Sequence, residues 1–159
     1  MKTFLTSMAL VLAAGPALAL SCLRPDVART YSQASEAEQA YVVVTGALRF
    51  DEGRLPENDG TNQDRRTVAI PARLEGKSLS RAGFTTPFAR DITLEVSCFG
   101  PWCGGAQSGA EYLVFLEKHG RKLVMVADPC GSWAFPEPSA EQVKQVETCM
   151  GGLECVPLK

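Results

Sequence analysis

Tyr41-Val-Val-Val-Thr-Gly-Ala-Leu-Arg-Phe50 is the stretch on which the fold turns. Its β-branched run, flanked by polar residues, predicts a strand, because such side chains suit a pleated, half-buried surface. Gly46 inside the run predicts a bulge or the sharp bend of a barrel strand, where a residue without Cβ is needed. On its amino-terminal side, the Ala-, Ser-, Glu- and Gln-rich segment from Pro25 to Gln39 predicts one or two short surface helices, started near Pro25 or Asp26 and again near Ser35. On its carboxy-terminal side, Asp51 to Arg66 is dominated by Gly, Asn, Asp, Glu and Arg, the composition of a long, exposed, mobile loop. Thr67 to Leu74 predicts a second strand, with Pro71 marking an edge or a bulge. Ser80 to Arg90 reads as irregular, whereas Asp91-Ile-Thr-Leu-Glu-Val96 alternates with the period of two that half-buries a strand. Glu111 to Leu116 and Leu123 to Ala127 predict a hairpin around Glu117 to Lys122, in which Gly120 can supply a positive φ. Ser139-Ala-Glu-Gln142 is a capping box. It opens a last helix with Val143, Val146 and Met150 on one face and Gly151-Gly152 as its stop. Five strands with Gly-marked bends suggest a small closed or partly closed barrel, and periodicity alone leaves a sandwich open.

The first residues constrain where the chain works. Met1-Lys2 leads into an apolar run, broken by Gly15-Pro16 just before Ala17-Leu18-Ala19, which is the pattern of a secretory signal cut after Ala19. The run falls short of the ~20 residues of a spanning helix, and no other stretch is apolar enough to anchor the chain. A lipoprotein signal would instead lipidate Cys22, but Ala19 stands where an aliphatic residue is wanted. Removing residues 1–19 from the 159 leaves 140, the size of one domain, and no linker or repeat divides residues 20–159. Lys2 is lost with the signal, so 15 basic residues face 18 acidic ones, a net charge of −3. With neither a basic excess nor a Lys/Arg run, nucleic acid and anionic membrane are poor partners, and Arg65-Arg66 reads as a solvated pair. The expected location is secreted or periplasmic, with no membrane anchor after processing.

Six cysteines, at 22, 98, 103, 130, 149 and 155, survive signal removal, and an even number in an oxidising compartment favours three disulfides. They allow fifteen connectivities. Pairing the close neighbours, Cys98 with Cys103 and Cys149 with Cys155, would leave Cys22 for Cys130.

The chemistry-bearing residues do not assemble into a catalytic pattern. Pro101-Trp102-Cys103-Gly104 suggests a thiol redox site, yet Ala106 stands where the second cysteine of such a site would be, and no helix start follows to lower a thiol pKa. The four- and five-residue gaps between paired cysteines do not fit a zinc site, and only His119 could assist. His119 reads as an exposed turn residue without a serine or cysteine nucleophile, and no Gly-x-Ser-x-Gly elbow occurs. Asp51, Glu52, Glu57, Asp59 and Asp64 crowd a loop that reads as solvated. Neither a cofactor, nor a metal, nor a catalytic residue is expected. Phe99, Trp102, Trp133 and Phe135 lie within five residues of a cysteine, either packed over the disulfides or forming a protein-binding rim, where Trp is over-represented.

The order of these features resembles the netrin-like domain, the OB-fold module shared by tissue inhibitors of metalloproteinases. The matching elements are Ser21-Cys22-Leu23-Arg24-Pro25, the polar helical stretch, Tyr41 to Gly46, Val96-Ser-Cys98, Tyr112 to Leu116, the hairpin at His119-Gly120, and Asp128-Pro-Cys130 with Trp133. The resemblance implies a five-stranded OB-type Greek-key barrel, mainly β, with short amino-terminal helices and a carboxy-terminal helix. It also implies a bridge from the cysteine near the start to the one after the hairpin, here Cys22 to Cys130. The inhibitors begin with a cysteine whose free amino group chelates the protease zinc, and a second cysteine follows two residues later. Here Leu20-Ser21 precede a single Cys22, and the inhibitors' further carboxy-terminal subdomain is not expected, since the chain ends soon after Cys155. The resulting expectation is an exported, non-enzymatic module related to metalloprotease inhibitors. It would engage another protein through Ser21, Cys22, Leu23, Arg24 and Pro25 together with Phe99, Trp102 and Trp133. The alternative is an exported enzyme, either a thiol redox protein or a hydrolase without a familiar motif.

Overall fold

The computed structural model describes residues 20–57 and 64–157. The cleavage signal, Asp59 and the middle of the 51–66 loop lie outside the described residues. Among the described residues the protein is mainly β, a mixed sheet of seven strands with two α-helices.

Helix α1, Val27–Glu36, begins where Asp26 accepts a hydrogen bond from the Arg29 amide at 2.9 Å, so one helix forms in the amino-terminal segment and Ser35 lies inside its last turn. Strand β1, Tyr41–Phe50, pairs antiparallel with β2, Arg66–Ser80, on one side and with β5, Glu111–His119, on the other. β2 turns tightly into β3, Gly83–Phe99, and β3 runs parallel to β6, Lys122–Ala127, which is hairpinned to β5. The pairings therefore close into a ring, β1-β2-β3-β6-β5 and back to β1, with one parallel seam. Two short strands complete the sheet: β4, Trp102–Cys103, folds back on β3, and β7, Ala134–Pro136, lies along β5. Helix α2, Ala140–Met150, carries the expected capping box, with Ser139 accepting from the Gln142 amide and Gln142 from the Ser139 amide, and stops at Gly151.

Two apolar layers result. Val44, Leu48, Ile70, Leu74, Leu94, Val96, Val114, Leu116 and Met125 fill the ring. Val43, Leu113 and Phe115 point to the other face of the same strands, where Val27 of α1 and Val146 of α2 cover them with Phe84 and Phe135. This alternation on β1 and β5 is the period-two pattern with both faces buried.

Several expectations are corrected. Ser80 to Arg90 is not irregular but forms the end of the longest hairpin, β2 with β3. Only every fourth residue of this part of β3, Phe84, Phe88 and Ile92, is buried, so the alternation of two that marks a strand is masked. A one-residue bulge opposite Ser78/Leu79 bends the hairpin tip, and Leu79 and Phe84 pack in the helix layer instead of the ring. Gly46 marks no bulge, since register runs unbroken through it on both sides. It faces Gly76, and a Cβ on either would overlap backbone of the other strand, with the carbonyl oxygen of Glu75 or Thr45 in the way. Pro71 does sit at an edge, one residue beyond the last β1–β2 pair, Phe50 with Ala72. The Glu117 to Lys122 connection is a two-residue turn, Gly120-Arg121, with Gly120 at φ +61° and His119 already paired to Lys122.

Candidate functional site

The three bridges are Cys22–Cys130, Cys98–Cys103 and Cys149–Cys155, and among the described residues no cysteine is free. Each has a local cause. Cys98 and Cys103 stand directly opposite one another where β4 folds back on β3. Cys149 closes onto Cys155 after α2 stops, and the Cys155 sulfur lies 3.7 Å from the Ala28 carbonyl of α1. Cys130 is held by an Asx turn, in which the Asp128 carboxylate accepts from the amides of Cys130 at 2.7 Å and Ser132 at 3.2 Å, and Gly131 takes φ +65°. Thr30, nearly buried, ties α1 to this turn through its hydroxyl, 2.8 Å from the Ser132 carbonyl.

These constraints attach two of the three expected segments to one turn. Gly104, just after β4, packs so closely on Ala127 and Asp128 that a Cβ would overlap the Ala127 carbonyl, and its amide donates to Ser97 O at 2.8 Å. Two residues beyond Asp128 is Cys130, which carries Cys22. Ser21 to Pro25 is thus tied to the Asp128–Cys130 turn on which Gly104 also packs, and all five of its residues are exposed. Leu23 is 77% exposed and Trp102 39%, two of only four large hydrophobic side chains exposed among the described residues. Phe99 is partly buried under the guanidinium of Arg65, 5.1 Å from its ring centre, and Arg66 reaches the Cys103 sulfur at 3.8 Å and the Glu57 carbonyl at 2.9 Å. Arg65 and Arg66 therefore brace the β3–β4 loop, which the reading of a solvated pair had missed.

Trp133 follows the same turn in sequence but is oriented differently. Its ring stacks on Tyr41, centroids 4.9 Å apart and planes at 7°, and it packs against the helix-side layer. Phe135 is buried there too, edge-on to Phe115. Tyr41 donates to Glu117 at 3.3 Å, and burial together with that carboxylate pushes its phenol up to about 12. His119, half exposed, lies 2.9 Å from the same Glu117. Among the described residues no group of three or more His, Cys, Asp or Glu converges in metal-binding geometry.

One neighbour of the site went unread in the sequence. The tail after α2 returns to the amino-terminal segment, and a depression of about 360 Å3 has Arg24 and Pro25 on one wall and Pro157 on another. The other two exposed large hydrophobics, Leu153 and Val156, belong to this tail. Their signal was available as two aliphatic residues flanking Cys155 past a double-glycine helix stop, where no core position was expected.

No helix among the described residues is long and apolar enough to cross a membrane, and three formed disulfides accord with an extracellular or periplasmic setting. Compared with protein-family models, curated proteins and solved structures, the chain matches none of them.

Proposed function

We propose that this chain is an exported, non-enzymatic protein-binding module of the netrin-like kind, built on an OB-type Greek-key barrel. The five-membered strand ring with its single parallel seam supports the barrel, and the expected Cys22–Cys130 bridge supports the family resemblance. What supports the functional reading is that one turn, Asp128–Cys130, holds Gly104 by packing and Cys22 by a disulfide, while Leu23 and Trp102 of the two attached segments are exposed to solvent. A surface ordered before it meets its partner loses little conformational entropy on binding, and an exposed Trp on such a frame is the residue type that most often dominates binding energy.

Zinc chelation in the inhibitors' manner would require a free amino group on Cys22. A chain beginning at Leu20 has none there, so it engages its partner through side chains and not through a protease metal. Intact-mass measurement of the exported protein tests the start at Leu20, and a diacylglycerol on an amino-terminal Cys22 would overturn it.

The test of function is quantitative capture from the native compartment by the natural chain and by a folded Leu23→Asp/Trp102→Ala variant. The reading requires a partner held by the first and bound at least ~1 kcal/mol more weakly by the second. Equal retention by both would remove the surface. A reactive low-pKa thiol in the native protein would favour the alternative, a thiol enzyme.

A further inference from the structure

We propose that the open end of the barrel seam is a binding site for an anionic amphiphile, a carboxylate or phosphate head on a short apolar stem. The parallel β3–β6 pairing is brief, covering only Thr93–Val96 against Val124–Ala127. Before it, β6 has just two residues and then turns at Gly120-Arg121, while β3 extends back to Gly83 paired with β2 alone. The seam therefore parts, at the opposite end of β3 and β6 from the Cys98–Cys103 loop, and a depression of about 450 Å3 opens there.

Its floor is the barrel core itself. Phe88 and Leu123 belong to the buried cluster that fills the ring, and Val42 packs against it. The remaining side chains that line it are Arg90, Lys118 and Arg121, with no carboxylate. All three are exposed, and among the described residues none has an ion-pair or hydrogen-bond partner for its charge. The acids adjacent in sequence are engaged elsewhere, Asp91 with Arg73 and Glu117 with Tyr41 and His119.

Three unpaired cations around one apolar depression, on a chain whose net charge is negative, repel one another and concentrate positive potential at its mouth. An anionic head relieves that repulsion, and an apolar stem lies against the apolar floor of Val42, Phe88 and Leu123. The volume lies within the usual range of small-molecule sites, about 300–1,000 Å3, and is small for an acidic peptide. With Phe88 buried in the floor, the site offers no exposed aromatic face for stacking a base.

Titration calorimetry on the full chain with octanoate, octyl phosphate, octanol and octylammonium tests this. Octanoate or octyl phosphate should bind saturably, octanol and octylammonium more weakly. An Arg90→Gln/Arg121→Gln variant with an unchanged thermal midpoint should lose affinity by about tenfold. Saturable binding of free octanoate marks a soluble amphiphile. Binding of octyl phosphate and of phosphatidylglycerol vesicles, both weakened in the variant, marks a lipid headgroup. Equal affinity for octylammonium, no saturable binding of either anion, or full affinity in the folded variant would each overturn the proposal.

Discussion

The ring of Trp133 lies flat on that of Tyr41, 4.9 Å from centre to centre, although 92 residues separate them in the chain. The stack joins the first residue of β1 to the turn that carries Cys130, at the edge of the layer beneath α1 and α2. It divides the two tryptophans by role. Trp133 is part of the packing, whereas Trp102 is free to meet another molecule.

Trp133→Ala should therefore lower unfolding stability by about 2–3 kcal/mol, since it removes both buried area and an aromatic pair. Trp102→Ala should stay within about 0.5 kcal/mol of the natural chain, because it deletes an exposed side chain. Urea unfolding of both variants checks the division. Similar losses for the two would mean that Trp102 is structural as well.

Tyr41 makes stability depend on alkaline pH. Its folded pKa, about 12, lies above the ordinary value of 10.0, so between the two the native state holds a proton that the unfolded chain releases. The contribution is complete below pH 10 and is lost as pH rises from 10 through 12. Tyr41→Phe, which cannot ionise, should lack this component of the alkaline decline in a pH series of unfolding curves. The same slope in both proteins would show that burial and Glu117 do not raise the phenol's pKa in the folded state.

The bridges differ in the length of chain they constrain. Cys22–Cys130 spans 108 residues and Cys149–Cys155 only 6. In the chain-entropy model, replacing the first pair by serines costs on the order of 4–5 kcal/mol and the second roughly 2. Denaturant midpoints of the two double variants should fall in that order. The reverse order would mean that the tail's packing against α1, and not loop length, sets the contribution of each bridge.

What could be read beforehand was local. The capping box at Ser139 and Gln142, the β-branched run of β1 and the turn glycine at 120 each act over a few residues, and each forms where its chemistry points. Cys98 and Cys103 pair because the chain between them folds back on itself, again a short-range event. The β2–β3 hairpin was hidden because the outer edge of β3 before Thr93 has no second partner, so Thr86 and Arg90 stay exposed between Phe84, Phe88 and Ile92. The Tyr41–Trp133 stack, the bracing of Phe99 by Arg65 and the return of the tail to Arg24 and Pro25 join segments distant in sequence. No local pattern carries that information.

Gly46 and Gly76 test the ring's geometry. They face each other across β1 and β2, and a Cβ on either meets backbone that has no flexible end to yield. Gly46→Ala or Gly76→Ala should destabilise by more than about 2 kcal/mol, as overpacking does where relaxation requires moving a strand. Gly105→Ala, with nothing within 4 Å of its added methyl, serves as the neutral control. Unchanged thermal midpoints for the two strand variants would contradict the close approach.

The central claim is that Leu23 and Trp102 form one partner-binding surface. Photo-crosslinking tests it most directly, with benzoylphenylalanine placed at position 23, at position 102 and, as a control on the exposed β2 face, at Lys77. The full chain would be expressed and exported in its own cellular setting and irradiated there. The account predicts that positions 23 and 102 yield a covalent adduct of the same mass, containing the same protein, and that position 77 yields none. Adducts of different proteins from 23 and 102, or the same adduct from 77, would contradict it.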